Sequence, residues 1–218
     1  MTREEILAKA KYIQYPYLDL HFKDFGDVNS EKIMMESKDF YNTWRQNEHH
    51  FPPMVHFKKS MPVIAKVLDF YFDEKDFSFK VQNCNGYDLT MPYPKMTYFY
   101  DAKSLSDEER SFENMTYDEL TSYEKTDGTP YHHLFRFFHD TSIIVNKNIR
   151  DERKLLLSGD SHMIPVVPML TPYFHTIAYL DNRKKMPIFD KIKDIEFTDV
   201  LIELFNNSLG FYTDGNLK

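Results

Sequence analysis

The sequence predicts an α/β protein built on a central parallel sheet flanked by helices, and three apolar runs carry that expectation. They are Leu155-Leu156-Leu157, Thr176-Ile177-Ala178-Tyr179-Leu180 and Asp199-Val200-Leu201-Ile202-Glu203-Leu204-Phe205. Each is short and bounded by charge or by turn residues, as a buried strand is. The stretches between them are helix-compatible. Strand, helix, strand, helix, strand is the pattern of a parallel sheet with crossover connections. Residues 155–159, 176–181 and 199–205 are therefore expected as neighbouring parallel strands with right-handed helical crossovers.

The elements follow in order. Residues 2–12 open with Thr2-x-x-Glu5, a capping box, and then space Ile6, Leu7 and Ala10 helically. Residues 15–20 read as a short strand of the same sheet. Residues 29–37 read as a short helix capped by Asn29 or Ser30. Residues 54–72 place Val55, Val63, Ile64, Val67, Leu68 and Tyr71 at helical spacing, with Pro62 starting or kinking the helix. Residues 77–83 and 96–100 look extended. Residues 104–125 are charged and polar, and are expected as surface helix or loop. Residues 132–138 are aromatic and enter the core.

With 218 residues the chain is long enough for one well-cored domain, and no repeat or linker divides it, so residues 1–218 are read as a single α/β domain. The net charge of −7 gives nucleic-acid binding no electrostatic support. A single cysteine, Cys84, excludes an internal disulfide and a cysteine-rich metal site. The first twenty residues are charged and tyrosine-rich, unlike a signal peptide, and no apolar run reaches membrane length. The chain as given is expected to be cytoplasmic, or exported if it is part of a longer protein. Its oligomeric state is open.

The first apolar run leads straight into Gly159-Asp160-Ser161-His162. A tight turn that carries a serine between a strand and a helix is where open α/β sheets place their chemistry. Gly159 allows the sharp turn, and Asp160 can hydrogen-bond back into it. An ordinary loop uses the same residues, so the order of elements around the turn is what raises it. A second polar cluster, Asn47-Glu48-His49-His50, lies between Trp44 and Phe51 and precedes Pro52-Pro53 and a helix.

Together these stretches resemble the SGNH (GDSL-like) esterase superfamily, in particular the branch of alginate O-acetylase-type acyltransferases. That branch places an Asp-x-His motif upstream of Gly-Asp-Ser, and here no Asp-x-x-His follows Ser161. Tyr173-Phe174, Asp181-Asn182-Arg183 and Asp199-Val200-Leu201-Ile202 look like later pieces of the branch. The resemblance implies a three-layer, flavodoxin-like SGNH-type fold. It implies acyl transfer through a serine ester, with Ser161 as nucleophile and His49 as base, His50 second and His162 third. Asn47 stands where the branch has Asp; it can hold the imidazole tautomer but not stabilise an imidazolium by charge, and Glu48 is one residue off register. Backbone N–H groups around Ser161 and His162, with Arg183, Asn206 and His50 nearby, would hold the oxyanion or substrate. A surface ion pair is the other reading of Arg183.

Neither a cofactor nor a metal is expected. His132, His133, His139 and Asp140 are read as packed among Phe135, Phe137 and Phe138 rather than as ligands. Three functional classes stand open: a serine acyltransferase or esterase acting on O-acyl groups of a carbohydrate, a catalytically inactive carbohydrate-binding or accessory protein on the same fold, and an unrelated interaction protein with a chance Gly-Asp-Ser. The 19 Phe and 15 Tyr suit sugar stacking, though aromatics also fill cores.

Overall fold

The computed structural model describes residues 1–15, 30–33, 51–84, 87–105, 110–121, 141–181 and 189–204. Ten strands occur among them: β1 (Ala10–Gln14), β2 (Ser30–Lys32), β3 (Phe77–Cys84), β4 (Tyr87–Pro94), β5 (Phe99–Ser104), β6 (Arg110–Thr116), β7 (Ser142–Asn146), β8 (Lys154–Gly159), β9 (Thr176–Asp181) and β10 (Asp199–Leu204). Eight form one sheet in the order β2-β1-β10-β8-β9-β7-β5-β6, and β3 and β4 form a separate hairpin.

The three apolar runs are the centre of the large sheet. β10 and β9 flank β8, both parallel to it, with Leu201 opposite Leu157 and Ile177 opposite Leu155. β1 and β2 extend the parallel set on one side. On the other side β7, β5 and β6 run antiparallel, an addition to the parallel sheet the sequence implied. The chain is thus α/β with a central parallel sheet, as expected.

Side chains alternate across the pleat and build two cores. Ile13, Leu155, Leu157, Ile177, Tyr179 and Leu201 face one layer, which holds Phe57, Ile64, Leu68 and residues 163–170. Leu156, Ala178, Leu180, Val200 and Ile202 face the other, which holds Ile6, Ile192 and Phe197. The hairpin β3–β4 joins the first layer through Phe77, Leu89, Met91 and Tyr93. Burial on both faces explains why these strands read as unbroken apolar runs.

The N-terminal helix α1 (Arg3–Lys9) carries the expected capping box, with Thr2 N–H donating to Glu5 Oε2 at 2.6 Å and Glu5 N–H to Thr2 Oγ1 at 3.2 Å. It ends earlier than the expected residue 12. Ala10 turns extended, and residues 10–14 take main-chain bonds from β10 instead. Residues 30–32, expected in a helix, form the edge strand β2. The open edge of β1 supplies partners that a three-residue segment cannot advertise by periodicity. Tyr15 lies just past β1, and residues 17–20, expected as strand, fall outside the described residues.

The expected helix over 54–72 is present as far as Leu68, four residues short of its expected end, in three pieces: α2 (Pro53–Val55), a π-helical turn at His56–Ser60 and α3 (Met61–Leu68). Within residues 104–125, expected as surface helix or loop, residues 110–116 are largely exposed but extended, while Ser104, Leu105, Tyr117, Leu120 and Thr121 are buried. β6 is an exposed edge strand, followed by a short helix (Tyr117–Leu120) capped by Thr116 and Glu119. An edge strand shows polar residues to water much as a surface helix does.

Arg153 locks helix α3 to the amino ends of β8 and β10. Its guanidinium makes a bidentate pair with Asp199, at 3.1 Å from Nε to Oδ2 and 2.7 Å from Nη2 to Oδ1. It also donates to Leu68 O at 2.6 Å, one of the helix's last carbonyls, and lies 4.9 Å over the Phe174 ring. Asp69 closes that helix in the left-handed region at φ 56°. The hydrogen bonds to Asp199 hold the Arg153 pKa above its ordinary value. Because one side chain satisfies a carboxylate and a helix end together, Arg153→Ala should cost about 1–3 kcal/mol. Denaturant unfolding checks this; a midpoint unchanged from wild type would show that the clamp contributes nothing.

Candidate functional site

The carboxyl ends of the parallel strands bring the site together. β8 ends at Gly159, and Asp160, Ser161 and His162 turn off it, 2–7% exposed. Met163 N–H donates to Asp160 O at 3.1 Å, Ile164 N–H to Ser161 O at 3.3 Å, and a five-residue helix, Val166–Leu170, follows. The expected order of strand, turn and helix around Ser161 is therefore present.

Side-chain hydrogen bonds fix this turn further. Asp160 Oδ1 accepts from the His162 N–H at 2.8 Å, as a short acidic side chain at a turn does. From β10, Glu203 Oε2 accepts from the Asp160 N–H at 2.8 Å. From β9, the Tyr179 hydroxyl donates to Asp160 O at 2.8 Å and to Gly159 O at a marginal 3.5 Å. Both neighbouring strands thus hold the backbone of the same residue, Asp160. Gly159 is required by closeness rather than by φ. A Cβ there would stand 2.4 Å from Met163 Cγ and 2.7 Å from Glu203 Oε2.

Beside the turn lies a buried cage of rings. Tyr15 comes from the end of β1, Phe51 precedes the helical segment, His56 opens the π-helical turn and His162 belongs to the serine turn. Tyr15 and Phe51 each contact both imidazoles, with centroid distances of 5.8–6.4 Å. The Tyr15 hydroxyl donates to Ser60 Oγ at 2.9 Å, and His56 Nδ1 lies 3.1 Å from the same oxygen. The π turn helps, because it sets His56 and Ser60 four residues apart over one widened turn. Burial, with the Glu203 charge behind it, raises the Tyr15 pKa well above its ordinary value, so the phenol keeps its proton.

The sequence-predicted residues divide accordingly. Ser161 and His162 are placed at the carboxyl edge of the central strand. His162 has its backbone N–H on Asp160, and its ring lies in the cage. Asn47, Glu48, His49, His50, Arg183 and Asn206 fall outside the described residues, as do residues 132–140. Sequence reasoning missed Glu203, Tyr179, Tyr15, His56 and Ser60. Glu203 had a readable signal, an acid inside an otherwise apolar strand. The others read as ordinary core or helix residues, and only the fold gathers them. Among the described residues no group of acidic, histidine or cysteine side chains could hold a metal ion, and no helix is long and apolar enough to cross a membrane.

Fold and turn together define a class: an α/β protein whose central parallel sheet presents a Gly-Asp-Ser turn at its carboxyl edge. No protein-family model matches the chain, and no curated protein matches it in sequence. Solved structures do resemble it. Bacillus cereus PatB1 with a sulfonyl adduct superposes with a TM-score of 0.65 at 20% identity, covering 92% of this chain and 82% of that one. Another structure of Bacillus cereus PatB1 gives 0.64 at 18% identity, with 95% and 85% covered. A DHHW family protein from Eubacterium siraeum gives 0.63 at 14% identity, with 96% and 84% covered. At such identities the likeness is one of fold.

Proposed function

We propose that the protein is an SGNH-type serine acyltransferase or esterase that acts on O-acyl groups, acetyl above all, of a carbohydrate. The observation that carries this reading is the Gly159-Asp160-Ser161 turn at the carboxyl end of β8, held by both neighbouring strands. The fold likeness to PatB1 supports it. That protein was solved with a sulfonyl adduct, the kind of product an activated nucleophile gives with a sulfonylating reagent. Read in one-letter code, DHHW is Asp-His-His-Trp, and this chain carries Asn47-Glu48-His49-His50, with histidine in the third place of both.

In the proposed reaction Ser161 Oγ attacks the acyl carbonyl carbon while His49 takes its proton. The tetrahedral intermediate expels the alkoxy group, which leaves as an alcohol carrying that proton. Water or an acceptor hydroxyl then attacks the acyl-serine and gives its proton to His49, which passes it to the departing Ser161 Oγ as the acyl group leaves as a carboxylic acid or a new ester. Asn47 or Glu48 would orient the imidazole. The His162 N–H would have to exchange Asp160 for the oxyanion, so other donors around Ser161, with Arg183, Asn206 or His50, are needed there.

A second reading rests on Asn47. An amide cannot stabilise an imidazolium as a carboxylate does, which favours an inactive carbohydrate-binding or accessory protein. Treatment with a fluorophosphonate, followed by peptide mass spectrometry, separates the two. The enzyme reading expects the adduct on Ser161 and acetate release from p-nitrophenyl acetate. An unmodified Ser161 under conditions that label a serine esterase control would leave the accessory reading.

A further inference from the structure

Glu203 is fully buried within β10, among residues that otherwise pack the two apolar layers. A carboxylate withdrawn from water costs free energy unless strong partners compensate it. One partner here is a backbone group of the serine turn, the Asp160 N–H at 2.8 Å. The carboxylate's Oε2 also stands 2.7 Å from where a Cβ of residue 159 would lie, so the strand end and the acid fit only with glycine between them. From the opposite side Tyr179 donates to the carbonyl oxygen of Asp160 at 2.8 Å. One residue, Asp160, immediately before Ser161, is held at its N–H by β10 and at its C=O by β9.

We infer that Glu203 and Tyr179 are positioning residues for Ser161, a role that rests on the serine-nucleophile reading above. Holding the 160 residue at both polar groups fixes where the chain leaves the sheet, and hence where Ser161 Oγ stands relative to its base. Small displacements matter, since a misplacement of about 1 Å can lower a rate on the order of 100-fold. The role is mechanical: the turn needs an acceptor at residue 203, and a neutral amide oxygen can serve.

The full chain and three variants test this by kcat and KM for p-nitrophenyl acetate, the rate of fluorophosphonate labelling at Ser161, and Tm. Glu203→Leu should lower kcat and the labelling rate roughly 10- to 100-fold in the folded protein, with KM little changed. Glu203→Gln keeps an acceptor and should restore both to within about threefold of wild type. Tyr179→Phe keeps the ring and removes one donor, so it should lower kcat several-fold at nearly constant KM; it serves also if Glu203→Leu does not fold. A wild type that is neither labelled nor active overturns the nucleophile reading and this inference with it. A labelled wild type with Tyr179→Phe and Glu203→Leu reacting at its rate overturns the inference alone. So does Glu203→Gln falling as far as Glu203→Leu, which would mean that the charge matters and the hydrogen bond does not.

Discussion

Ser161→Ala is expected to lower turnover of p-nitrophenyl acetate on the order of 1000-fold or more, and His49→Ala to do nearly the same. A serine hydroxyl is a weak nucleophile until a base removes its proton as the bond to carbon forms, so loss of either partner stops the same step. The double variant should be scarcely worse than either single one, because residues that act as a unit are not additive. Asn47→Asp should raise the rate, since a carboxylate stabilises the imidazolium that an amide only orients. His133→Ala should leave turnover intact. Steady-state kinetics on purified variants, with folding checked by circular dichroism, decide the matter. Full activity in Ser161→Ala would remove the serine from the chemistry altogether.

Gly159→Ala is expected to destabilise the protein and disturb the serine turn. The new Cβ would meet Met163 Cβ at 2.9 Å as well as Met163 Cγ at 2.4 Å and Glu203 Oε2 at 2.7 Å. The far end of Met163 can swing away, but its Cβ is fixed by the turn, and moving Glu203 releases the Asp160 N–H. Overpacking of this kind costs about 1–3 kcal/mol. At roughly 2–4 °C per kcal/mol for a chain of this size, Tm should fall by several degrees. Labelling of Ser161 should slow as well, because the methyl pushes apart the groups that hold the turn. Wild-type Tm together with wild-type labelling would show that the turn has room the structure does not suggest.

Much of the fold was legible because the centre of the sheet is buried on both faces. Leu155–Leu157, residues 176–180 and residues 200–203 have no solvent side, so each strand appears as one apolar block whatever its partners. The capping box at Thr2 and Glu5 was equally plain, since its two bonds lie within four residues. The edges were harder. Residues 10–12 read as the end of the first helix in sequence, and are strand because β10 offers main-chain partners from nearly two hundred residues away. β6 looked like a polar surface segment because it lies at the edge of the sheet with most of its residues exposed.

At the candidate site the sequence by itself determined the turn: Gly159, Asp160 and Ser161, the strand before them and the helix after. Those are local, and local chemistry is written in neighbouring residues. It also marked the histidine pair at 49–50 through resemblance alone. What only the tertiary structure decided is what surrounds Ser161. Glu203 and Tyr179 reach the backbone of Asp160 because β10 and β9 lie on either side of β8, an order set by strand pairing over tens of residues. Tyr15, Phe51, His56 and His162 share one cage because β1 ends at the same edge and the π turn packs over it. Hydrogen bonds between groups 19 and 43 residues apart leave no pattern in either segment, since each residue alone is compatible with many partners. Burial on both sheet faces fixes which side chains are enclosed, but only the assembled sheet selects which of them meet.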